Sequence, residues 1–183
     1  MNRNILCACC AAAILVAGCA SQSSTPASAP KVAAKAPEAF ALLEPTRGNL
    51  TNGSVRFTQE GERVLVVAKV HNLPPNTEHG FHLHDKGDCS SGDGMSTGGH
   101  FNPDGHPHGP QSGPHHDGDM PALKADGNGV AETAFVLRGV TVSAGAHSVV
   151  GKGLIVHKDP DDYTTQPTGN AGARVACGVV AQR

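Results

Sequence analysis

The 183-residue chain has no Trp, one Tyr and five Phe, so aromatics make up only 3% of it. A core built on large flat rings is excluded; it has to come from small aliphatic side chains. Charge is scarce as well, 16% of residues against roughly 25% in an average soluble domain. Fourteen Lys and Arg stand against sixteen Asp and Glu, a formal charge of −2. That balance offers no basic patch and excludes a nucleic-acid partner. Few charged helix formers beside 23 Gly and 13 Pro exclude a coiled coil or long-helix protein. The Gly has no period of three, which excludes a collagen-like chain. A turn-rich β protein is what these shortages leave. Against them stands one excess, eleven His.

The first 18 residues read as an address. Met1-Asn2-Arg3-Asn4 precedes an apolar run from Ile5 to Ala17, shorter than the roughly 20 residues of a membrane span. A basic start, a short apolar run and small residues at its end describe a secretory signal peptide. Val16-Ala17-Gly18-Cys19 resembles a bacterial lipobox, which implies a lipid anchor on Cys19 and a place on the periplasmic side of the bacterial cell envelope. Ala20 and Ser21, with no Asp after the Cys, point to the outer membrane; an ordinary signal peptide cut near Cys19 is the plainer alternative. Residues 19–38 are rich in Ala, Ser, Pro, Thr and Lys, bury nothing, and read as a flexible tether. Removal of 1–18 takes Cys7, Cys9 and Cys10 with it. If Cys19 carries lipid, an oxidising compartment leaves Cys89 to pair with Cys177. That bridge closes a loop of about 88 residues, for which chain entropy gives about 4–5 kcal/mol.

Residues 39–183 make one domain. Short β-branched or alternating runs are expected as strands at Ala39–Leu43, Leu50–Thr58, Arg63–Val70, Gly80–His84, Ala122–Lys124, Val130–Leu137, Ser148–His157 and Ala173–Ala181. Turn signals separate them, Asp126-Gly127-Asn128-Gly129 among the strongest. The expectation is an all-β, eight-stranded antiparallel sandwich or barrel. Two stretches do not fit as strands, Asp85–Met120 and Lys158–Gly172, and loops of that length usually carry function.

Seven His lie between His82 and His116. His82 and His84, two apart on a strand, point to one face. His100 enters from the long loop and His157 ends a later strand. Four nitrogen donors in a tetragonal set favour Cu(II). The loop goes on through His106, His108, His115, His116 and Asp119, where three His and one Asp make a closed tetrahedral zinc site. Candidates outnumber places, so some of these His are bystanders.

Gly80-Phe81-His82-Leu83-His84, Gly99-His100-Phe101-Asn102-Pro103 and Gly169-Asn170-Ala171-Gly172-Ala173-Arg174-Val175-Ala176-Cys177-Gly178-Val179 resemble the copper/zinc superoxide dismutases, a likeness that runs over roughly 40–182. The resemblance implies a Greek-key fold of eight strands and one copper and one zinc ion per chain. It implies copper on His82, His84, His100 and His157, and zinc on His100, His108, His116 and Asp119, with His100 bridging the two. Asp161 matches the carboxylate that links a copper ring to a zinc ring. Arg174 matches the cation at the mouth of the copper channel, and with His100 it is expected to act in catalysis. The implied reaction converts superoxide to oxygen and hydrogen peroxide by Cu(II)/Cu(I) cycling. A copper- and zinc-buffering envelope lipoprotein without turnover is the alternative. The family includes dimers and monomers, so a homodimer is also an expectation.

The leftovers have ordinary expectations. His79 matches a structural His bonded to backbone; His71 and His147 read as strand or turn residues; His106, His115 and Asp162 read as solvated. Two departures from the family stand out. The stretch from Asp161 to Arg174 is short and lacks the Glu and Lys of longer versions, with Tyr163-Thr164-Thr165-Gln166-Pro167 in their place. Asp117 takes the place of an apolar residue, which is expected to loosen the zinc loop.

Overall fold

The chain folds as the alternation of its apolar residues requires. The computed structural model describes residues 35–183; the expected signal peptide, Cys19 and most of the tether lie outside the described residues. The strands are β1 (Glu38–Pro45), β2 (Asn52–Glu60), β3 (Arg63–His71), β4 (Glu78–His79), β5 (Phe81–His84), β6 (Leu123–Lys124), β7 (Ala131–Arg138), β8 (Gly153–His157), β9 (Arg174–Val179) and β10 (Ala181–Gln182). A single 3-10 turn, Met95–Thr97, is the only helical element among the described residues. Eight strands form one antiparallel sheet in the order β5-β8-β9-β1-β2-β3-β7, with β10 also paired to β1; β4 and β6 pair separately.

β2 buries Val55 and Phe57, and β3 buries Val64, Val66, Ala68 and Val70, every second residue in each case. Between them only Gly61 and Glu62 remain unpaired, and Gly61 alone takes a positive φ, +63°. Gly at the first of two turn positions is the type II′ preference of a tight hairpin. The aromatic shortage shows in the core, where Phe57, Phe81 and Phe101 pack among Val, Leu, Ile and Ala.

The expected strands appear, except that Ala173–Ala181 is divided at Val180 into β9 and β10, and two others start later than expected. Leu50 lies before β2 and is largely exposed. Ser148–Lys152 is not strand: Ser148 makes one isolated parallel bridge to Thr141, and Gly151 turns the chain at φ +81°.

β5 and β8 are buried along their whole length and pair with each other. Phe81 and Leu83 face the core, so the pleat turns His82 and His84 the other way, under the loops. The β8–β9 register shifts between Val156 and His157, and this irregularity brings His157 opposite Arg174. Cys89 and Cys177 are joined by a disulfide that ties the 85–99 loop to β9.

Candidate metal centres

Seven buried side chains form two quartets with one shared ring. His82, His84, His100 and His157 make the first; His100, His108, His116 and Asp119 make the second. Within each quartet one ligand atom per residue lies within 4.8 Å of all the others. In the second, Asp119 Oδ1 lies 2.7 Å from His100 Nδ1, 2.9 Å from His108 Nδ1 and 3.2 Å from His116 Nδ1. His100 Nδ1 and His116 Nδ1 are 3.4 Å apart. Ligands about 2.0–2.1 Å from a tetrahedral zinc sit about 3.3 Å from one another, so this quartet fits zinc. In the first quartet His84 Nε2 and His157 Nε2 are 3.4 Å apart.

Three nitrogens, His82 Nδ1, His100 Nε2 and His108 Nδ1, are buried without a hydrogen bond. Buried polar atoms are nearly always satisfied, and these three belong to the two quartets. His100 commits Nδ1 to the Asp119 side, and its orphaned Nε2 is left for the other quartet. One ring therefore serves both centres.

The outward nitrogens fix the aim of the rings. His84 Nδ1 is 2.9 Å from the Gly98 carbonyl, and His157 Nδ1 is 3.2 Å from that of Gly172. Asp161, whose carboxylate has no exposed surface, holds a ring with each oxygen: His82 Nε2 at 2.7 Å on Oδ2 and His108 Nε2 at 2.9 Å on Oδ1. Such outer partners select the tautomer a metal needs. Gly169 packs against this carboxylate at φ +65°; any side chain there would collide with Asp161 Oδ1 and crowd His108 Nε2.

The quartets differ in charge. Burial is the main force on the first, lowering His82 to about 4 and His157 to about 3, and holding His84 well below the ordinary imidazole value. Those rings are neutral, as ligands must be. Burial also opposes charge on His108, but the carboxylates of Asp119, close to its Nδ1, and Asp161, bonded to its Nε2, outweigh it and raise this ring to about 9. Both carboxyls resist the upward push of burial and stay ionised, held down chiefly by the bonded His100 and the neighbouring His108 at Asp119 and by hydrogen bonds from His108 and His82 on Asp161.

Arg174, half-buried, lies across the ladder from His157. Its Nη1 donates to the Gly94 carbonyl (2.6 Å) and to Thr97 Oγ1 (2.7 Å), and its Nη2 to the Gly98 carbonyl (2.7 Å), the same oxygen that holds His84. The guanidinium is thus fixed to the disulfide-tied loop beside the first quartet.

A family profile described as Copper/zinc superoxide dismutase (SODC) matches residues 51–180. The chain belongs to the copper/zinc superoxide dismutase family. Superoxide Dismutase [Cu-Zn] 2 of Aquifex aeolicus (strain VF5) is 38% identical over 149 residues, 78% of this chain and 86% of the relative. Superoxide Dismutase [Cu-Zn] 1 of the same organism is 40% identical over 134 residues, 70% of this chain and 79% of the relative. A crystal structure described as that of the clock protein EA4 superposes with a TM-score of 0.72 at 36% identity, over 81% of this chain and 96% of that one. The chain is an oxidoreductase that dismutes superoxide, its metals are copper and zinc, and its fold is the Greek-key barrel of that family.

The remaining dismutase histidines sort clearly. His106 is exposed and His115 half-buried, and neither joins a quartet. His79 is buried, with Nδ1 2.9 Å from the His157 carbonyl and Nε2 2.7 Å from Thr77 Oγ1. His147 is not the plain turn residue expected. Its Nδ1 lies 2.7 Å from Asp117 Oδ2 and its Nε2 3.7 Å from Asp104. Asp117 is buried and joined to His147 across the loop by this contact. Sequence reasoning missed Gln166, whose side chain binds the main chain of His108; the only cue was an absence of charge around it.

Proposed function

We propose that copper is held by His82 Nδ1, His84 Nε2, His100 Nε2 and His157 Nε2, and zinc by the Nδ1 atoms of His100, His108 and His116 with Asp119 Oδ1. The observation that carries this reading is the double commitment of His100, with Nδ1 among the zinc donors and Nε2 buried and unpaired. Two superoxide anions and two protons give one oxygen and one hydrogen peroxide. When bound, copper supplies a one-electron acceptor and donor in turn, and zinc a fixed positive charge. Arg174 attracts the anion and seats it beside His157; three of its N–H groups are engaged in holding it there, and two remain for the substrate. Electrostatic focusing of this kind raises on-rates about 10–1000-fold. His100 Nε2 is the atom that takes up and returns a proton, while Nδ1, fixed toward Asp119, keeps the ring aimed.

The same proposal places the exported chain at the periplasmic side of a bacterial envelope, anchored by lipid on Cys19. The Cys89–Cys177 bridge supports an oxidising compartment. Exposed Leu42, Leu50 and Val179 supply apolar surface for the expected homodimer. Mass spectrometry of the envelope-extracted protein checks the lipid, and sedimentation checks the dimer.

The deciding experiment measures superoxide loss by the chain loaded with one copper and one zinc. The expected rate constant approaches the diffusional ceiling, about 10⁸–10⁹ M⁻¹s⁻¹. Tight binding of both metals without turnover would replace this reading with metal buffering.

A further inference from the structure

We propose that Gln166 is a positioning residue for the zinc quartet, fixing the main chain of His108 and so the aim of its Nδ1. The inference rests on the reading of His108 as a zinc ligand. His82, His84 and His157 have their main chains fixed by strand ladders, and His100 is bridged to His84. The His116 main chain is bonded at both ends to Asp119, its N–H to Oδ2 at 2.8 Å and its carbonyl to the Asp119 N–H at 3.0 Å. His108 has no such support: among the described residues its main chain bonds to no other main chain, and Pro107, Gly109 and Pro110 surround it. The Gln166 amide meets both of its groups instead. Oε1 accepts from the His108 N–H at 2.9 Å, and Nε2 donates to the His108 carbonyl at 2.8 Å. One amide side chain thereby reproduces the two bonds of a neighbouring strand.

The turn that presents Gln166 is held on its own terms. Asp162 Oδ1 accepts from the N–H groups of Thr164 (2.9 Å) and Thr165 (2.7 Å), and Oδ2 from the Thr165 hydroxyl (2.6 Å). Gly169 N–H donates to the Thr165 carbonyl at 2.7 Å, and Asp162 N–H to the Gly169 carbonyl at 3.0 Å. Asp161, one residue earlier, holds the His108 ring. A short segment without Glu or Lys thus grips one zinc ligand twice, by ring and by main chain. Only a side-chain amide of this length serves. Glu keeps the acceptor but sets a carboxylate against the His108 carbonyl, and Asn is one methylene too short.

The test loads wild type, Gln166→Ala and Gln166→Glu with copper and zinc and follows zinc transfer to a chromogenic chelator, with copper EPR recorded in parallel. Zinc release is expected to accelerate about 10–100-fold in Gln166→Ala, the loss typical when a partner outside the ligand set is removed. Gln166→Glu, which keeps one of the two bonds, is expected to fall between, and the copper signal to stay unchanged. With Co(II) in place of zinc, the visible bands of Gln166→Ala are expected to shift. Zinc release and Co(II) bands equal to wild type in either variant would overturn the proposal, even if the variant melts earlier. His108→Ala separates the two layers: if it holds zinc as tightly as wild type, the ligand reading itself falls and this inference with it.

Discussion

On the copper side three of the four rings, His82, His84 and His157, stand on β5 and β8, and the pleat and ladder of those strands aim them. On the zinc side His108, His116 and Asp119 come from a segment with no strand, and side chains do the aiming. Asp119 Oδ2 accepts from the N–H groups of His116 (2.8 Å) and Gly109 (3.1 Å), which turns Oδ1 toward the three imidazoles. Gln111 donates to the Asp119 carbonyl, and Gln166 clamps His108. In the metal-free protein the contrast extends to charge, since burial keeps His82, His84 and His157 neutral while carboxylates draw a proton to His108. Regular backbone therefore aims most of the copper rings, and irregular backbone leaves the zinc ligands to a net of ionic hydrogen bonds.

His100 joins the two halves, so its loss has the largest expected effect. His100→Ala should release both metals and lower turnover by more than about 100-fold, beyond the 10–100-fold seen for partners outside a ligand set. Metal analysis and superoxide decay check this together; loss of one metal alone would break the bridge. Arg174→Glu should act on one half only. Turnover is expected to fall about 10–1000-fold and its salt dependence to reverse, with both metals retained. An unchanged rate would remove Arg174 from substrate attraction. Asp161→Asn comes next, because each of its oxygens holds a ring in a different quartet. Both metals should be held about 10–100-fold less tightly, read by chelator competition. Weakening at zinc alone would place the influence of Asp161 entirely on His108.

The same contrast decides what the sequence made legible. His82 and His84 could be paired from spacing alone because a strand alternates with period two. His157 followed from its place at a strand end, although the register shift that turns it toward Arg174 leaves no mark in the sequence. His108 and His106 also lie two apart, but in irregular chain that spacing carries no direction, and only family likeness separated them. The Asp117–His147 contact spans 30 residues and the Gln166–His108 contacts span 58; no local pattern encodes either. The sequence extends the strands to Leu50 and Ser148 because apolar and β-branched neighbours continue past the point where the ladder stops, and turn geometry rather than composition sets those ends.

The smallest expected effect separates the burial-lowered rings from His108 by pH in the metal-free protein. His82 and His157 have folded values of about 4 and about 3, below the 6.5 of an unperturbed ring, and His84 and His116 are also lowered. Below about pH 6.5 the unfolded chain binds protons that the folded chain refuses, so these rings cost stability as pH falls. Asp119 and Asp161, with lowered values, steepen the loss once the pH nears the ordinary carboxyl range. His108 has the opposite sign: raised to about 9, it contributes stability fully below about pH 6.5 and loses it as pH rises through its folded value. Melting temperatures of the metal-free protein should therefore fall on both flanks. His157→Ala should flatten the acid flank and His108→Ala the alkaline one. If both variants changed the same flank, the division between rings held neutral by burial and His108 held charged by carboxylates would fail.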